Sequence, residues 1–199
     1  MPDDEKYEYT GLHAMIFLGG SSPERIETLV KALQEEERKT NAKNIRFATE
    51  TVGGVHRGLV HVAVDDEDDL AGIQGLLVSM SKGRELGTEV AILGPAYQDS
   101  SGQSLAAKIR HCEVLAIIRI WVERDQASEV LQALPDAVGS VFDGASIVYG
   151  AFDILLVLDG PRYSDVARPA LEGVPSIPGV VRTETSFADV RRYGDYATS

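Results

Sequence analysis

The sequence predicts an α+β protein made of two tandem ferredoxin-like halves, each with the order β-α-β-β-α-β, of the dimeric α/β-barrel type. Two observations lead to this prediction. Apolar runs, helical stripes and turn residues give that order over residues 112–189. The same succession precedes it over residues 12–93, so the chain contains an internal repeat.

The first half begins with an apolar run at residues 12–18, interrupted by His13, which predicts a buried strand. Ser22 and Pro23 then indicate a helix start, because serine caps the first turn and proline suits its first position. The helix presents one apolar face and ends in the charged residues 34–39. The members of that face are Ile26, Leu29, Val30 and Leu33.

Two strands and a helix follow. Residues 44–52 alternate in polarity and predict a strand with one wetter face, and residues 58–64 predict its neighbour after the turn at Gly53-Gly54. The acidic run 65–69 is expected to form the first turn of a helix, where carboxylates stabilise the helix dipole, rather than a metal site. A short strand at residues 88–93 completes this half. The apolar stripe of the helix consists of Leu70, Ile73, Leu77 and Met80.

The second half repeats this order. Residues 114–122 predict a strand, and residues 126–134 have helical spacing. A second apolar run, residues 151–158, ends at the turn signal Asp159-Gly160-Pro161, and residues 180–187 predict the last strand. Pro169 and Gly173 fall inside the helix before that strand, which we therefore expect to be short or kinked.

The chain divides into three segments on these signals. Residues 1–94 form the first α/β domain, and the breaker-rich residues 95–111 form a linker. Residues 112–199 form the second domain and a tail. Residues 114–118 are apolar on both faces, so the sheet face without helices must also be covered. The two halves satisfy this by packing on each other in one chain, or each half pairs with its mate in a second chain. We expect a homo-oligomer, at least a dimer.

Composition excludes several classes of protein. The net charge of −12 repels nucleic acid and anionic membranes, so direct DNA binding is not expected. No apolar run is long enough to span a bilayer, and the acidic N-terminus is unlike a signal peptide. The single cysteine, Cys112, forms no internal disulfide, and no cluster offers a metal site. We expect a cytoplasmic protein without a metal or other cofactor.

Two motifs in the second half carry a family resemblance. Residues 149–153 read Tyr-Gly-Ala-Phe-Asp, and residues 177–186 read Ile-Pro-Gly-Val-Val-Arg-Thr-Glu-Thr-Ser. They resemble the Gly-x-aromatic-Asp signature and the closing strand of the Lrp/AsnC effector-binding domain, over about 75 residues. The helix-turn-helix that precedes this domain in typical regulators is absent, because the first 95 residues alternate strands and helices instead.

The resemblance implies a dimer with a small-molecule effector between subunits. It carries a ligand-binding role onto Tyr149, Gly150 and Asp153, and it places the strand with Thr183 and Thr185 beside that site. From the residue type alone, Gly150 allows a ligand or another backbone to approach closely. Asp153 is equally well explained as a turn cap.

Arg119 interrupts an apolar run, and a buried arginine is destabilising unless it is paired. We expect Glu184 or Asp153 to pair with it. Its fork of donors also suits a carboxylate ligand, so we include Arg119 in the ligand site. Trp121 shares its strand parity and is expected in the core or in a pocket wall.

The first half does not share the signature residues. Placing Asp65 on Asp159 superposes residues 56–65 on residues 150–159, and the hydrophobic patterns agree. His56 then stands where the second half has Gly150, and Leu59 stands where it has Asp153. The first half has therefore lost or replaced the site.

Two functions follow from these residues. The favoured one is a non-enzymatic regulatory module that senses an amino acid or similar metabolite at an intersubunit cleft. The alternative is a small enzyme of the dimeric α/β-barrel class, a cofactor-poor oxygenase or isomerase with a His/acid pair. Its candidates are His13, His61 and Asp153, and the two histidines are placed to meet across the first sheet. A first half that serves only oligomerisation is a further possibility.

Overall fold

The computed structural model describes residues 12–19, 28, 29, 32, 45–80, 87–96 and 114–189. The statements below concern these parts of the chain. The predicted helix after Ser22 lies outside them except for its residues 28, 29 and 32, which are helical. The linker beyond Ala96 and the C-terminal tail also lie outside.

The first half supplies four strands and one described long helix. The strands are β1 (Leu12–Gly19), β2 (Ile45–Glu50), β3 (Gly58–Val64) and β4 (Gly87–Ala96). The helix α1 (Glu67–Met80) lies between β3 and β4 and begins with the acidic residues Glu67, Asp68 and Asp69. The acidic run is thus the first turn of a helix, as predicted.

The second half has the same order. Its strands are β5 (Val114–Val122), β6 (Phe142–Tyr149), β7 (Ile154–Gly160) and β8 (Val180–Asp189), and its helices are α2 (Ala127–Val138) and α3 (Tyr163–Arg168). Helix α3 changes at Pro169 into a π-helical segment, Pro169–Gly173, and then a 3-10 turn, Val174–Ser176. The predicted interruption by Pro169 and Gly173 is confirmed.

All eight strands form one antiparallel sheet in the order β2-β3-β1-β4-β6-β7-β5-β8. Each half therefore arranges its own strands as second, third, first and fourth, so the internal repeat predicted from the sequence is present in three dimensions. The halves join where β4 pairs with β6, with Ile92 opposite Tyr149.

The sheet closes where its end strands meet. Just after β2, the amide of Val52 donates to the carbonyl of Phe187 at 2.7 Å, and the amide of Phe187 donates back to Val52 at 2.8 Å. This pair links the β2 end of the sheet to β8, so the eight strands surround an interior. The predicted α+β class with two ferredoxin-like halves and a barrel is confirmed.

Three apolar cores explain the continuous hydrophobic runs. Ile16 of β1 faces α1, and Ile118 of β5 faces α2 and α3. Their neighbours Phe17 and Ile117 point into the barrel, where side chains of both halves form the third core. Strands buried on both faces need apolar residues at every position.

The two halves thus cover each other's open sheet faces within one chain. The physical reason for expecting a second chain at that face no longer applies, and the dimer stays a prediction. The domain limits 1–94, 95–111 and 112–199 stay predictions as well, because the linker lies outside the described residues beyond Ala96.

Candidate functional site

Charged side chains meet inside the barrel, near the ends of strands from both halves. We call them the Arg119 cluster, which consists of Arg119 on β5, Glu184 on β8, Glu89 on β4 and His56 in the β2–β3 loop. Arg119 and Glu184 are opposite each other on paired strands. Glu89 and His56 come from the first half, so neither half forms this cluster alone.

Arg119 is the centre of the cluster. Its Nη1 donates to Glu89 Oε1 at 2.8 Å, and its Nη2 donates to Glu184 Oε1 at 2.6 Å. The Arg119 side chain is 6% exposed, so it depends on these carboxylates for compensation of its charge. Of the two partners expected from the sequence, Glu184 and Asp153, the structure pairs Glu184 with Arg119.

The loop of residues 51–57 carries His56 and has a defined internal structure. Thr51 Oγ1 donates to the His56 carbonyl at 2.9 Å, and the Thr51 amide donates to the Arg57 carbonyl at 2.9 Å. Gly53 and Gly54 have φ angles of +78° and +65°, which glycine adopts without strain. The turn from residue 52 to residue 55 is exposed, while Thr51 and His56 are buried beneath it.

His56 is held as a neutral imidazole. Its Nε2 lies 3.7 Å from Glu89 Oε2, and its ring lies 5.4 Å from the ring of Phe17. Burial is the largest cause that lowers the pKa of His56, and the charge of Arg119 lowers it further. Glu89 and Glu184 oppose this shift without reversing it. A neutral imidazole beside a carboxylate is the usual form of a general base.

Glu184 is held as a carboxylate. Burial raises its pKa, but hydrogen bonds from the Val55 amide and from Arg119, with the Arg119 charge, outweigh burial and lower the pKa overall. The Val55 amide donates to Oε1 at 3.0 Å, the same oxygen that accepts from Arg119. Arg182 pairs with the other oxygen, Oε2, at 3.3 Å.

Aromatic rings surround the guanidinium of Arg119. Its Cζ lies 5.2 Å from the ring centroid of Phe17, 5.6 Å from that of Trp121 and 5.7 Å from that of Phe152. Arg182 stacks on the outer side of Trp121 at 4.4 Å. Trp121 therefore separates a buried cation from an exposed one and forms part of the cluster's wall, while it also packs against the core inside the barrel.

The loop before β7 places the other signature residues. Asp153 Oδ2 accepts a hydrogen bond from the Val122 amide at 2.8 Å, so Asp153 ties this loop to the end of β5 and is not the partner of Arg119. Tyr149 is 64% exposed. A Cβ at Gly150 would lie 3.1 Å from the Val90 carbonyl, so the close approach predicted there is made by the backbone of β4.

Thr183 and Thr185 lie on the other face of β8. They pair with Ile120 and Ile118, whose side chains point toward the helices, whereas Glu184 between them points into the barrel. The structure therefore brings Arg119 into the cluster but separates it from these threonines. The ligand-binding role of the sequence-predicted residues stays a prediction.

The histidines predicted to meet do so. His13 Nδ1 lies 3.2 Å from His61 Nε2, and His61 is 1% exposed. His13 precedes Phe17 by four residues on β1, about 13 Å at the usual strand rise. Asp153 lies beside Phe152, whose ring contacts that of Phe17 at 5.7 Å. His13, His61 and Asp153 therefore do not form one site.

Sequence reasoning missed His56 and Glu89. Glu89 lies on β4, and its partner Arg119 lies on β5. These strands are not neighbours in the sheet, so the contact depends on how the two halves pack. For His56 a signal existed, since the internal repeat aligns it with Gly150, a residue already assigned to the site. Within the described residues, no three His, Cys, Asp or Glu side chains are placed to hold a metal ion.

Comparisons with known proteins bear on the fold. No family model matches the sequence, and no curated protein matches it. A structure named as a chlorite dismutase superposes with a TM-score of 0.63 at 8% identity, covering 94% of this chain and 98% of that one. A heme-binding protein from Thermus thermophilus has a TM-score of 0.59 at 11% identity, with 93% and 95% covered.

A monooxygenase from Lactobacillus acidophilus shares the fold as well. Its TM-score is 0.52 at 8% identity, and 89% of this chain and 92% of that chain are covered. All of these likenesses extend over both halves, which supports the ferredoxin-like barrel as one unit. At such identities they show a shared fold.

These findings correct the identification made from the sequence. The resemblance to the Lrp/AsnC effector-binding domain is wrong as an identification, because the structures that superpose over both halves of the chain are named as a chlorite dismutase and a monooxygenase. In this chain the motif residue Asp153 serves strand pairing, because its carboxylate accepts a hydrogen bond from the end of β5.

The functional expectations change accordingly. The favoured assignments as a non-enzymatic module, as an amino-acid binder and as part of transcription regulation are wrong, since the whole-chain neighbours are named as a chlorite dismutase, an anthrone oxidase-like protein and a monooxygenase. In the described part of the chain, no helix is both long and apolar enough to cross a membrane.

Proposed function

We propose that this chain is a small enzyme of the α/β-barrel class, that its reaction centre is the Arg119 cluster and that His56 is its general base. One observation carries the proposal. A neutral imidazole lies 3.7 Å from a carboxylate, Glu89, which is itself bonded to a buried guanidinium. The named activities of the whole-chain neighbours support an enzyme over a regulatory module, although they belong to those proteins.

The reaction class is proton removal from a small organic acid. His56 Nε2 accepts a proton from a C–H or O–H group of the substrate, and the electron pair stays on the substrate as an enolate or phenolate. Glu89 then faces an imidazolium and stabilises it. Arg119 stabilises the substrate anion, because a buried cation acts strongly where water is excluded.

The fate of that anion distinguishes the two reactions predicted from the sequence. Return of the proton to another atom gives isomerisation. Reaction of the anion with molecular oxygen, as co-reactant, gives oxygenation. Both begin with the same step at His56, so both depend on the same residues.

The heme of the Thermus thermophilus neighbour does not fit the described residues. The helices α2 and α3 carry no histidine, and the residues between them and the sheet are almost fully buried. A heme-sized space would leave the side chains around it accessible to water. The ring of His61 is buried against that of His13, and His56 is buried against Phe17. We therefore derive no step through heme.

The remaining predictions belong to this proposal. The loop that carries Gly150 and Asp153 borders the cluster through Ala151, whose carbonyl accepts from Trp121 Nε1 at 2.7 Å. We propose these residues and Tyr149 as outer contacts of the substrate, with Thr183 and Thr185 further away. We also propose a cytoplasmic location and a dimer.

Deuterium exchange tests the proposal. Purified protein in D₂O is incubated with a panel of small enolisable oxo acids while ¹H NMR follows loss of the acidic C–H signal. Oxygen uptake is recorded in parallel with hydroxylated aromatic compounds. We expect turnover with at least one class and a loss of about 100-fold or more in His56→Gln. His61→Gln is the matched control. Equal rates in His56→Gln and wild type, or no turnover with either class, would overturn it.

A further inference from the structure

The loop of residues 51–57 is attached to β8 at one charged residue. Glu184 Oε1 accepts from the Val55 amide at 3.0 Å and from Arg119, so a single oxygen joins the loop to the centre of the cluster. The other described hydrogen bonds between this loop and β8 are the backbone pair of Val52 with Phe187 and a longer bond from Ser186 Oγ to the Gly53 carbonyl at 3.4 Å. The loop lies over the cluster with its exposed turn outward and His56 inward.

Surface burial shows that two members of the cluster, Arg119 and His56, are shielded from solvent, whereas the side chains of Glu89 and Glu184 are 28% and 13% exposed. Arg119 is 5% exposed and His56 is 9% exposed, so a substrate reaches them only if a covering segment moves. Each strand that carries a cluster residue is hydrogen-bonded to at least one neighbouring strand, whereas residues 52–55 form an exposed turn with two glycines at positive φ. Exposed turns with few apolar contacts open at low free energy relative to paired strands.

We infer that Glu184 is the latch that holds the loop of residues 51–57 closed over the Arg119 cluster and so positions His56, and that substrate enters when this loop is released. This inference rests on the proposed function only in the assumption that a substrate binds at the Arg119 cluster. The attachment itself is a property of the free protein and is measured without any activity assay.

Two substitutions of Glu184 distinguish the contribution of its negative charge from that of its hydrogen bond with the Val55 amide. In Glu184→Gln, the side-chain carbonyl still accepts from the Val55 amide, so the loop stays closed while the negative charge is lost. In Glu184→Ala, both the acceptor and the charge are lost, so the loop is released. His56 faces Arg119, Glu89 and Glu184, and each variant therefore changes its surroundings in a known way.

The test is an NMR titration of the His56 ring combined with its rate of modification by diethyl pyrocarbonate. In Glu184→Gln we expect the pKa of His56 to fall, because a carboxylate that raises it is gone while burial remains. In Glu184→Ala we expect the pKa to rise toward the ordinary histidine value, because water reaches the ring, and modification to accelerate at least fivefold. His61 is the internal reference.

A second variant releases the loop without touching Glu184. Gly54 has a φ of +65°, and a Cβ there would overlap Ser186 Oγ and lie 3.4 Å from the Thr185 carbonyl, so Gly54→Ala strains the closed turn and favours its release. We expect faster modification of His56, as in Glu184→Ala. Gly72→Ala is the matched control, since a Cβ at Gly72 in α1 meets nothing within 4 Å.

The outcomes decide between the latch and a merely structural role. A fall in the pKa of His56 in Glu184→Gln with a rise in Glu184→Ala supports the latch. Shifts of the same sign in both variants, or unchanged modification in Gly54→Ala, would overturn it. Circular dichroism identifies variants that fail to fold. Failure of the exchange assay with a confirmed latch would refute the proposed reaction alone.

Discussion

Arg119 Nη1 donates to Glu89 Oε1 at 2.8 Å and thereby joins β5 of the second half to β4 of the first half across the barrel interior. These two strands are not neighbours in the sheet. The contact therefore exists only because both halves fold onto each other in one chain, and the charged cluster is a product of that packing.

Removal of the guanidinium is expected to destabilise the fold. In Arg119→Ala, Glu89 and Glu184 face each other without the cation, which costs about 3 kcal/mol in the free energy of unfolding and lowers Tm by roughly 6–12 °C. Thermal unfolding followed by circular dichroism measures this. Arg168→Ala is the control, because its pair with Glu172 is exposed and contributes little. Equal decreases of Tm in Arg119→Ala and Arg168→Ala would refute the claim that the ion pairs of Arg119 stabilise the fold.

Stability is expected to fall on acidification in two stages. The pKa of His56 is lowered in the folded protein, so below its ordinary value of about 6.5 the unfolded chain binds more protons and folding is disfavoured. The pKa of Glu184 is also lowered, so its contribution is present above about pH 4.3 and is lost as pH falls further.

Urea unfolding measured from about pH 7 to about pH 4 tests whether His56 causes the first decrease in stability. His56→Gln is expected to lose the decrease that begins near neutral pH and to keep the decrease at lower pH. His61→Gln serves as the comparison. A wild-type stability that stays constant between about pH 7 and pH 5 would contradict the buried neutral state of His56.

Trp121 offers an optical signal from the site, because it is the single tryptophan of the chain. Arg182 covers its outer face at 4.4 Å. Arg182→Ala is expected to expose the indole and to move its emission maximum to longer wavelength, with Arg168→Ala unchanged. An emission maximum that is the same in both variants would show that Arg182 does not cover the ring.

Two glycine substitutions are expected to act in opposite directions. In Gly150→Ala the new methyl group meets the Val90 carbonyl at 3.1 Å and the Ala91 Cα at 3.4 Å, both backbone atoms, which costs about 1–3 kcal/mol. Gly72→Ala, in open space on α1, is expected to stabilise by up to about 1 kcal/mol. Similar effects of the two in chemical denaturation would argue against the close approach of β4.

Local sequence patterns were sufficient for most of the strands and for the internal repeat, but they gave no residue range for β6 (Phe142–Tyr149). Runs such as residues 114–118 are apolar at successive positions, and that pattern follows directly from burial on both sheet faces. The interruption of the helix after Arg168 followed equally directly from the backbone chemistry of Pro169. These features depend on a few neighbouring residues.

The site depended on information that no local pattern contains. Arg119 was found because it interrupts an apolar run, and Glu184 was expected beside it as one of two possible carboxylate partners. Glu89 and His56 reach them through the closure of the barrel, which is decided by the shapes of three cores together. The family resemblance led to a wrong identification for a related reason. Its motifs lie in the second half alone, whereas the Arg119 cluster needs residues of both halves.

The most direct test of the central claim is an NMR titration of the His56 ring in the wild-type protein, with His56→Gln used to assign its signals. The account predicts a pKa below the ordinary value of about 6.5, a neutral ring at pH 7, and a rise in that pKa when Arg119 is replaced by methionine. A pKa at or above the ordinary value that does not respond to Arg119→Met would contradict the Arg119 cluster as a site built around a neutral base.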